Sequence, residues 1–411
     1  MNFLAGWDFC VVGAGIVGTS IAREIKSRKP DKTIIIVEKE GRVGSHTSSR
    51  NSGVIHSGIN QKPGGLKAKL CVRGNALLKD FCRKEGVPME EVGTVVLARD
   101  DAEGEVIREL QRRGTANGAV GVRIIDREEL KQVETYAEAR EALISPSGAI
   151  VDNARLVAAV AEDAIRRGIS VALDSKVRSI VDRKDHLTVE TGNAAYDTKY
   201  LINCAGLYAD KVAWMMGCGR DYCVIPFRGD YYRLTPEKSY LVKSMIYPAP
   251  NLEMPFLGVH LTKRTDGAVI VGPNASLALG REKYREVGVN WVEVLEMVFD
   301  LRFARLMSDP GFFKVAMHEA WLTLSKGAFV KAARSLVPAI KGEDLVPDQS
   351  GIRAQLVNRK GKLVDDFLFE QTDKSFHVLN AVSPAMTCGL SFAEHVADLI
   401  FNEQEKSTSP V

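Results

Sequence analysis

DFCVVGAGIVGTSIAREIKSRKPDKTIIIVE, residues 8–38, decides the fold class of this chain. The apolar run Phe9–Val12 meets Gly13-Ala14-Gly15-Ile16-Val17-Gly18. Apolar side chains then recur at helical spacing, and Thr33–Val37 is a second β-branched run. Strand, glycine turn, helix and strand in that order make one βαβ unit. Gly13 permits the tight turn, Gly15 lets backbone approach a pyrophosphate, and Gly18 lets the helix pack closely on the sheet. Ile16 and Val17 open the helix, whose N-terminal N–H groups favour negative charge. Glu38 ends the second strand, twenty residues past Gly18. A carboxylate there bonds a ribose hydroxyl and disfavours a 2′-phosphate. The stretch predicts a dinucleotide site on an α/β sheet.

The motif does not separate FAD from NAD, because both present the same adenosine half. The loop that follows, KEGRVGSHTSSRNSGVIHSG (39–58), does separate them. Beginning at Lys39, it is rich in small hydroxyl residues such as Ser48 and Ser49 and in glycine. Hydroxyls and backbone N–H groups satisfy a pyrophosphate, and glycine permits close approach to a flat ring. A hydride-shuttling NAD enzyme has no evident need of such a loop, so FAD is the expected cofactor.

Outward from this unit the chain alternates in character. Residues 92–98 read as a strand, 102–113 as a charged helix, and 126–133 as a helix with Asp126 as N-cap and Glu129 at the capping-box position. Residues 145–168 read as a turn and a long amphipathic helix. Three short strands follow, then a buried strand over 199–206. Alternating strands fill 226–275, and 281–341 is helical. Strand character returns near 352 and at 376–381, before a closing helix over 391–402 and a polar tail (404–411) expected to be disordered. The expected architecture is α/β with an α+β substrate part. A Rossmann-like FAD-binding domain (1–88, 145–225, 346–403) is interleaved with a mixed-sheet and helical substrate domain (89–144, 226–345).

Composition excludes several classes. The 411 residues suffice for two domains, and a net charge of +3 is too small to argue for nucleic acid. No run of about 18 apolar residues spans a membrane, and no secretory signal is read at the start. Seven scattered cysteines suit a reduced, cytoplasmic chain. Cys218 and Cys223 have the C-x4-C spacing of a flavin disulfide pair, but too far from the glycine motif, so they read as a loop pair. His46, His186, His318, His377 and His395 share no metal-like spacing, and no metal is expected. Residues 313–341 carry five Lys/Arg against one acid, interleaved with Phe313, Trp321, Leu322 and Phe329. An ordinary helix pair packed on the substrate domain is the first reading there, and peripheral contact with an anionic bilayer the second.

Longer motifs carry a resemblance. GAGIVG, NSGVIHSG (51–58), PGGLKAKLC (63–71), PSGAIVD (146–152), VIPFRGDYYRL (224–234), YPAPNLEMPFLGVHLT (247–262), VGPNA (271–275), GIRAQ (351–355), GKLVDDF (361–367) and NAVSPAMT (380–387) occur in that order. Over nearly its whole length the chain resembles the D-amino-acid-oxidase-type FAD oxidoreductases, and more narrowly the L-2-hydroxyglutarate dehydrogenases/oxidases. The resemblance implies that NSGVIHSG runs beside the flavin, with Asn51, Ser52, Gly53 and Val54 at its ring edge and His56 nearby. It further implies that Val177 pairs with the adenine, that Ala205 and Gly206 end a strand against the cofactor, and that Ser383, Pro384, Ala385 and Met386 lie by the pyrimidine end.

Oxidising a 2-hydroxy acid needs a carboxylate clamp and a base. Arg353, in Gly-Ile-Arg, is the candidate clamp, since its planar fork bonds a carboxylate bidentately and related oxidases carry such an arginine in a late motif. Arg228 reads as a brace at the domain junction. His260, between Val259 and Leu261, is the first candidate base, with a pKa near neutrality wanted for the role, and His56 the second. Tyr247, Tyr232 and Tyr231 are candidate donors. The expected activity is oxidation of L-2-hydroxyglutarate, a small dicarboxylate, to 2-oxoglutarate, with electrons passed to a quinone-type acceptor or oxygen. Rival readings are a glycerol-3-phosphate or amino-acid oxidase on this scaffold, or a non-catalytic electron-transfer flavoprotein.

Overall fold

A computed structural model describes residues 3–252, 258–284 and 288–408. The βαβ unit forms as Phe3–Val12, helix Ile16–Arg28 and Ile34–Val37, the two strands pairing in parallel. They sit inside a sheet ordered Val177–Asp182, Leu187–Thr191, Ala195–Asn203, Phe3–Val12, Ile34–Val37, Ser170–Ala172. Ser375–Asn380 joins the far end of Ala195–Asn203 in parallel, and Leu368–Thr372 pairs with it. Helices cover the parallel centre of this sheet on both faces, so Ile34–Val37 is apolar throughout rather than alternating. Ile34 and Ile36 point into one buried cluster with Val11 and Ile202, whereas Ile35 and Val37 point into another with Cys10 and Leu201.

A second, mixed sheet runs Leu345–Pro347, Tyr232–Leu234, Val269–Gly272, His260–Lys263, Met245–Pro248, Thr94–Ala98, Glu141–Ser145, Arg123–Asp126. Phe329, Ala333, Leu336 and Val337 pack on its strands from the helical region. Between the sheets, Tyr222–Gly229 and Gly351–Asn358 pair antiparallel over their full length.

Several local expectations shift. Leu66–Glu85 is a long helix that the sequence reading passes over, although Leu70, Cys71, Leu78, Phe81 and Cys82 mark one buried face. Ala149–Val151 is a strand rather than part of a turn, and it pairs with Val54–Ile55 and Met89–Glu90. The last helix spans Ala385–Thr408, starting earlier than 391 and running through most of the expected tail; 409–411 lie outside the described residues, as do 253–257 of the YPAPNLEMPFLGVHLT motif. Asp126 does cap its helix, accepting from the Glu129 N–H. The Glu129 carboxylate pairs instead with Arg123, so the reciprocal half of the capping box is absent.

Candidate active site

The glycine turn closes on backbone. Gly13 N–H donates to the Val37 carbonyl and Cys204 N–H to the Val12 carbonyl. Gly13 has φ +104°, and a Cβ at Gly18 would lie 2.1 Å from the Gly13 carbonyl oxygen, so both positions require glycine. Gly15 has a different need: a Cβ there would stand 2.9 Å from Ser48 Oγ, which accepts from the Ile16 N–H at 3.0 Å. The 39–58 loop thus lies over the helix N-terminus. Glu38 is buried, and its carboxylate accepts from Ala14 N–H (2.7 Å) and Glu40 N–H (3.0 Å), tying the strand end to the turn and the loop.

NSGVIHSG is held from three sides. The Asn51 amide closes its own loop, accepting from Gly53 N–H and donating to the Ser48 and Thr47 carbonyls. Gly53, at φ +71°, crosses the Ala149–Val151 strand so closely that a Cβ would lie 2.6 Å from the Val151 carbonyl oxygen. His56 N–H donates to Thr387 Oγ1, and its carbonyl accepts from Asn75 on the Leu66–Glu85 helix. A loop too polar for a core strand is buried because neighbouring side chains take up its backbone groups.

A cavity of about 470 Å³ runs from this turn to the second sheet. A neighbouring pocket of about 20 Å³, bordered by His56 and Tyr247, has room for little beyond water. The large cavity is lined by Gly13, Gly15, Ile16, Val17, Glu38, Lys39 and Val177 at one end. Ser48, Asn51, Ser52, Val54, Ala205, Gly206, Pro384, Ala385 and Met386 line its middle. Tyr231, Tyr247, His56, His260 and Arg353 gather at the other end. Gly18, Ser49 and Gly53 shape the wall without lining it. Tyr232 is a correction: its ring packs on Phe329, centroids 5.0 Å apart, in the core of the second sheet. Strand alternation sends Tyr231 to the cavity and Tyr232 away from it.

The far end holds the chemistry. A Cβ at Gly351 would lie 2.0 Å from the Arg50 carbonyl oxygen, so only glycine lets the 39–58 loop cross the strand there. Thr47 Oγ1 donates to the Ile352 carbonyl, and Arg353 follows, opposite Phe227. Burial lowers the Arg353 pKa. His260 is 5% exposed and stacks on Tyr247, centroids 4.2 Å apart. Its Nδ1 lies 2.9 Å from the Gly258 carbonyl, which can only accept, so Nδ1 carries the proton and Nε2 keeps a lone pair. Burial, with His56 and Arg353 nearby, outweighs that hydrogen bond and lowers the His260 pKa to about 4. Burial and the Arg353 charge likewise bring His56 down to about 4. A pKa near neutrality was expected of the base; the structure holds both rings neutral well below it. Tyr231 is pushed up to about 12, chiefly by burial.

At the opposite end Glu40, His46 and Glu282 bring their ligand atoms together, a convergence that spacing along the chain does not reveal. The Lys39 ammonium lies among them, 2.5 Å from Glu282 and 2.6 Å from His46, and also pairs with Glu40. The cluster is an ion-pair network with its cation built in. Arg228 lies 2.9 Å from Asp230, two residues along the chain, and pairs with it beside the cavity. Cys218 and Cys223 line no part of it, and burial raises both thiols, Cys223 to about 12, the opposite of an activated cysteine.

Residues 8–399 match the family model DAO, FAD dependent oxidoreductase. The chain is 40% identical over 389 residues to L-2-hydroxyglutarate dehydrogenase of Indibacter alkaliphilus, covering 94% of this chain and 97% of that one. It is 37% identical over 411 residues to the mitochondrial L-2-hydroxyglutarate dehydrogenase of Homo sapiens, covering 96% and 88%. Its fold is similar to that of the L-alpha-glycerophosphate oxidase of Mycoplasma pneumoniae solved with FAD bound, with a TM-score of 0.80 at 22% identity over 97% of this chain and 95% of that one. A glycine turn closed by Glu38, a loop laid over a helix N-terminus and a continuous cavity are what an FAD requires, and the chain belongs to the DAO family of FAD-dependent oxidoreductases.

Proposed function

We propose that the chain oxidises L-2-hydroxyglutarate to 2-oxoglutarate. The observation that carries this reading is the meeting of Arg353, His260 and His56 at one end of a cavity whose other end is the glycine turn. The relatives' activity points to the same substrate. In this reading Glu38, Lys39 and Val177 hold the adenosine. Gly13, Gly15, Ile16, Val17 and Ser48 take the pyrophosphate, with Gly18 and Ser49 shaping its wall. Asn51, Ser52, Gly53, Val54, Ala205, Gly206, Pro384, Ala385 and Met386 frame the flavin. The substrate end is built chiefly by 226–345, with Arg353 reaching it from the 346–403 part.

Bound FAD supplies a hydride acceptor for the C2 hydrogen. The remaining work falls to side chains. Arg353 bonds the carboxylate beside C2 with its planar fork. His260 Nε2 takes the hydroxyl proton, its Nδ1–H fixed on Gly258 so that the lone pair is available. Arg353 disfavours an imidazolium until the substrate carboxylate offsets its charge, so carboxylate binding prepares the base. Tyr247 stacks the ring in place. His56 and Tyr231 are the remaining donors near the substrate.

A phosphate substrate is the weaker reading. Arg228, Arg233, Lys263 and Arg264, the basic side chains of the central strands, do not line the cavity. Electrons leave to a quinone-type acceptor, with oxygen the alternative. The test is anaerobic mixing of the flavin-loaded protein with L-2-hydroxyglutarate, its D-enantiomer, L-malate, L-lactate and glycerol 3-phosphate. Bleaching of the flavin fastest by L-2-hydroxyglutarate supports the reading, and preferential bleaching by the phosphate ester overturns it.

A further inference from the structure

Lys39, His46, Arg50, Tyr208 and Lys211 line the nucleotide end of the cavity, and the substrate part holds each of them from behind. Glu282 pairs with Lys39 at 2.5 Å. Tyr284 stacks on His46, its hydroxyl 2.5 Å from Nδ1, and the Arg50 guanidinium lies 4.2 Å from the centre of its ring. Helix Trp291–Val298 supplies Glu293, which accepts from the Tyr208 hydroxyl at 3.2 Å, and Glu296, 2.8 Å from Lys211. Arg281, Glu282, Tyr284, Glu293 and Glu296 themselves line no part of the cavity.

This backing has two strengths. Arg281 and Asp210 are both buried, and two guanidinium nitrogens meet both carboxylate oxygens at 2.6 and 2.8 Å. Arg281 also donates to the Leu207 carbonyl. Parting such a pair strands a buried charge, so it holds. The Glu282 and Glu296 carboxylates are 36% and 50% exposed, and ion pairs so placed are weak and part readily. Elsewhere the wall is tied by backbone: Gly13 N–H donates to the Val37 carbonyl, Cys204 N–H to Val12 and Val151 N–H to Gly53. Those walls cannot part without breaking strand pairing, whereas the nucleotide end opens by loosening side chains. Lys176 and Met215, which also line that end, are exposed, so the cavity meets solvent there.

We infer that 281–284 and helix Trp291–Val298 form a gate over the nucleotide end, pivoting on Arg281 and Asp210 to let FAD enter and leave. The inference rests on the cofactor and not on the substrate. Because the gate residues line no part of the cavity, they act on the passage and not on the bound cofactor. Loosening them should therefore speed entry and exit alike.

The test follows flavin fluorescence of the full chain, for release on dilution of loaded protein and for uptake on mixing stripped protein with FAD. Glu282→Gln with Tyr284→Ala should speed both by about ten-fold and leave Kd within about two-fold of wild type. Glu296→Gln, a milder change, should speed both by up to about five-fold and decides the matter if the double variant does not fold. Tyr284→Phe keeps the ring contacts with His46 and Arg50 and should recover most of the wild-type rates. Lys362→Gln breaks a 2.7 Å pair with Asp309 that joins the same two parts away from the cavity, and should change neither rate. Faster release without faster uptake would make these contacts a support for bound cofactor and overturn the gate. Wild-type rates in the folded double variant, or an equal change in Lys362→Gln, would overturn it too.

Discussion

In the proposed reaction His260 takes the proton and Arg353 the carboxylate, and each role has a kinetic signature. His260→Asn removes the base while keeping a polar group, so flavin reduction at saturating substrate should slow by roughly 10²–10⁴-fold. The base must be neutral to act, and its pKa in the free protein is about 4. The rate at low substrate should therefore stay level as pH falls through the ordinary histidine range and decline only near that value. At saturation the bound carboxylate offsets Arg353, and the acid limb should move upward. A limb at the ordinary histidine value in the free protein would refute the burial argument, and an unchanged rate in His260→Asn would move the base to His56. Arg353→Lys keeps charge but loses the fork, leaving a buried carboxylate imperfectly bonded at a cost of about 1–3 kcal/mol, or a 5- to 150-fold rise in KM. Wild-type KM in that variant would discard the clamp.

Gly351–Asn358 shows how the element that carries Arg353 is fixed in place. Its first residue is glycine because the 39–58 loop crosses it, and the second bonds that loop through Thr47. Gly351→Ala must push the loop away by more than an ångström, since the added carbon would lie 2.0 Å from the Arg50 carbonyl oxygen. Retained flavin per protein should fall and KM should rise together, whereas Gly192→Ala, with nothing within 4 Å, should change neither. Absorbance of the purified proteins and steady-state kinetics read both. At the βαβ turn, Gly15→Val should yield colourless protein, because its side chain would enter the space beside Ser48; full flavin content in that variant would contradict the pyrophosphate assignment.

Across the whole molecule, acid weakens the fold through rings held neutral. His56, His260 and His377 each have a native pKa of about 4 against an ordinary 6.5. Between those values the unfolded chain binds more protons, so stability is present in full above the ordinary value and is lost as pH falls through the native one. Each ring contributes on the order of 3 kcal/mol at the limit. Urea midpoints should drop steeply across that window, and His377→Gln should flatten the drop, its ring lying between Asn203 and Ser375. An unchanged slope would show that His377 titrates normally. Added FAD should raise the midpoint at every pH, because it binds the folded state.

Residues 8–38 determined the nucleotide half outright, because glycine geometry, helix periodicity and a strand-end acid are local and their order admits one βαβ unit. The late Gly-Ile-Arg stands out for a related reason: an arginine in an otherwise apolar strand has little local purpose, and Arg353 lines the cavity. Other features were decided only by the tertiary structure. Two adjacent tyrosines look alike in sequence, and only the strand's position against Val269–Gly272 tells which one faces the cavity. Asn51 reads as a ligand for the ring edge, and only the structure shows that its amide also closes the loop that carries it. The Lys39, His46 and Glu282 network joins segments more than two hundred residues apart, a distance no spacing rule reaches. The low histidine pKa values likewise arise from burial and from Arg353, which reach those rings only once the chain has folded.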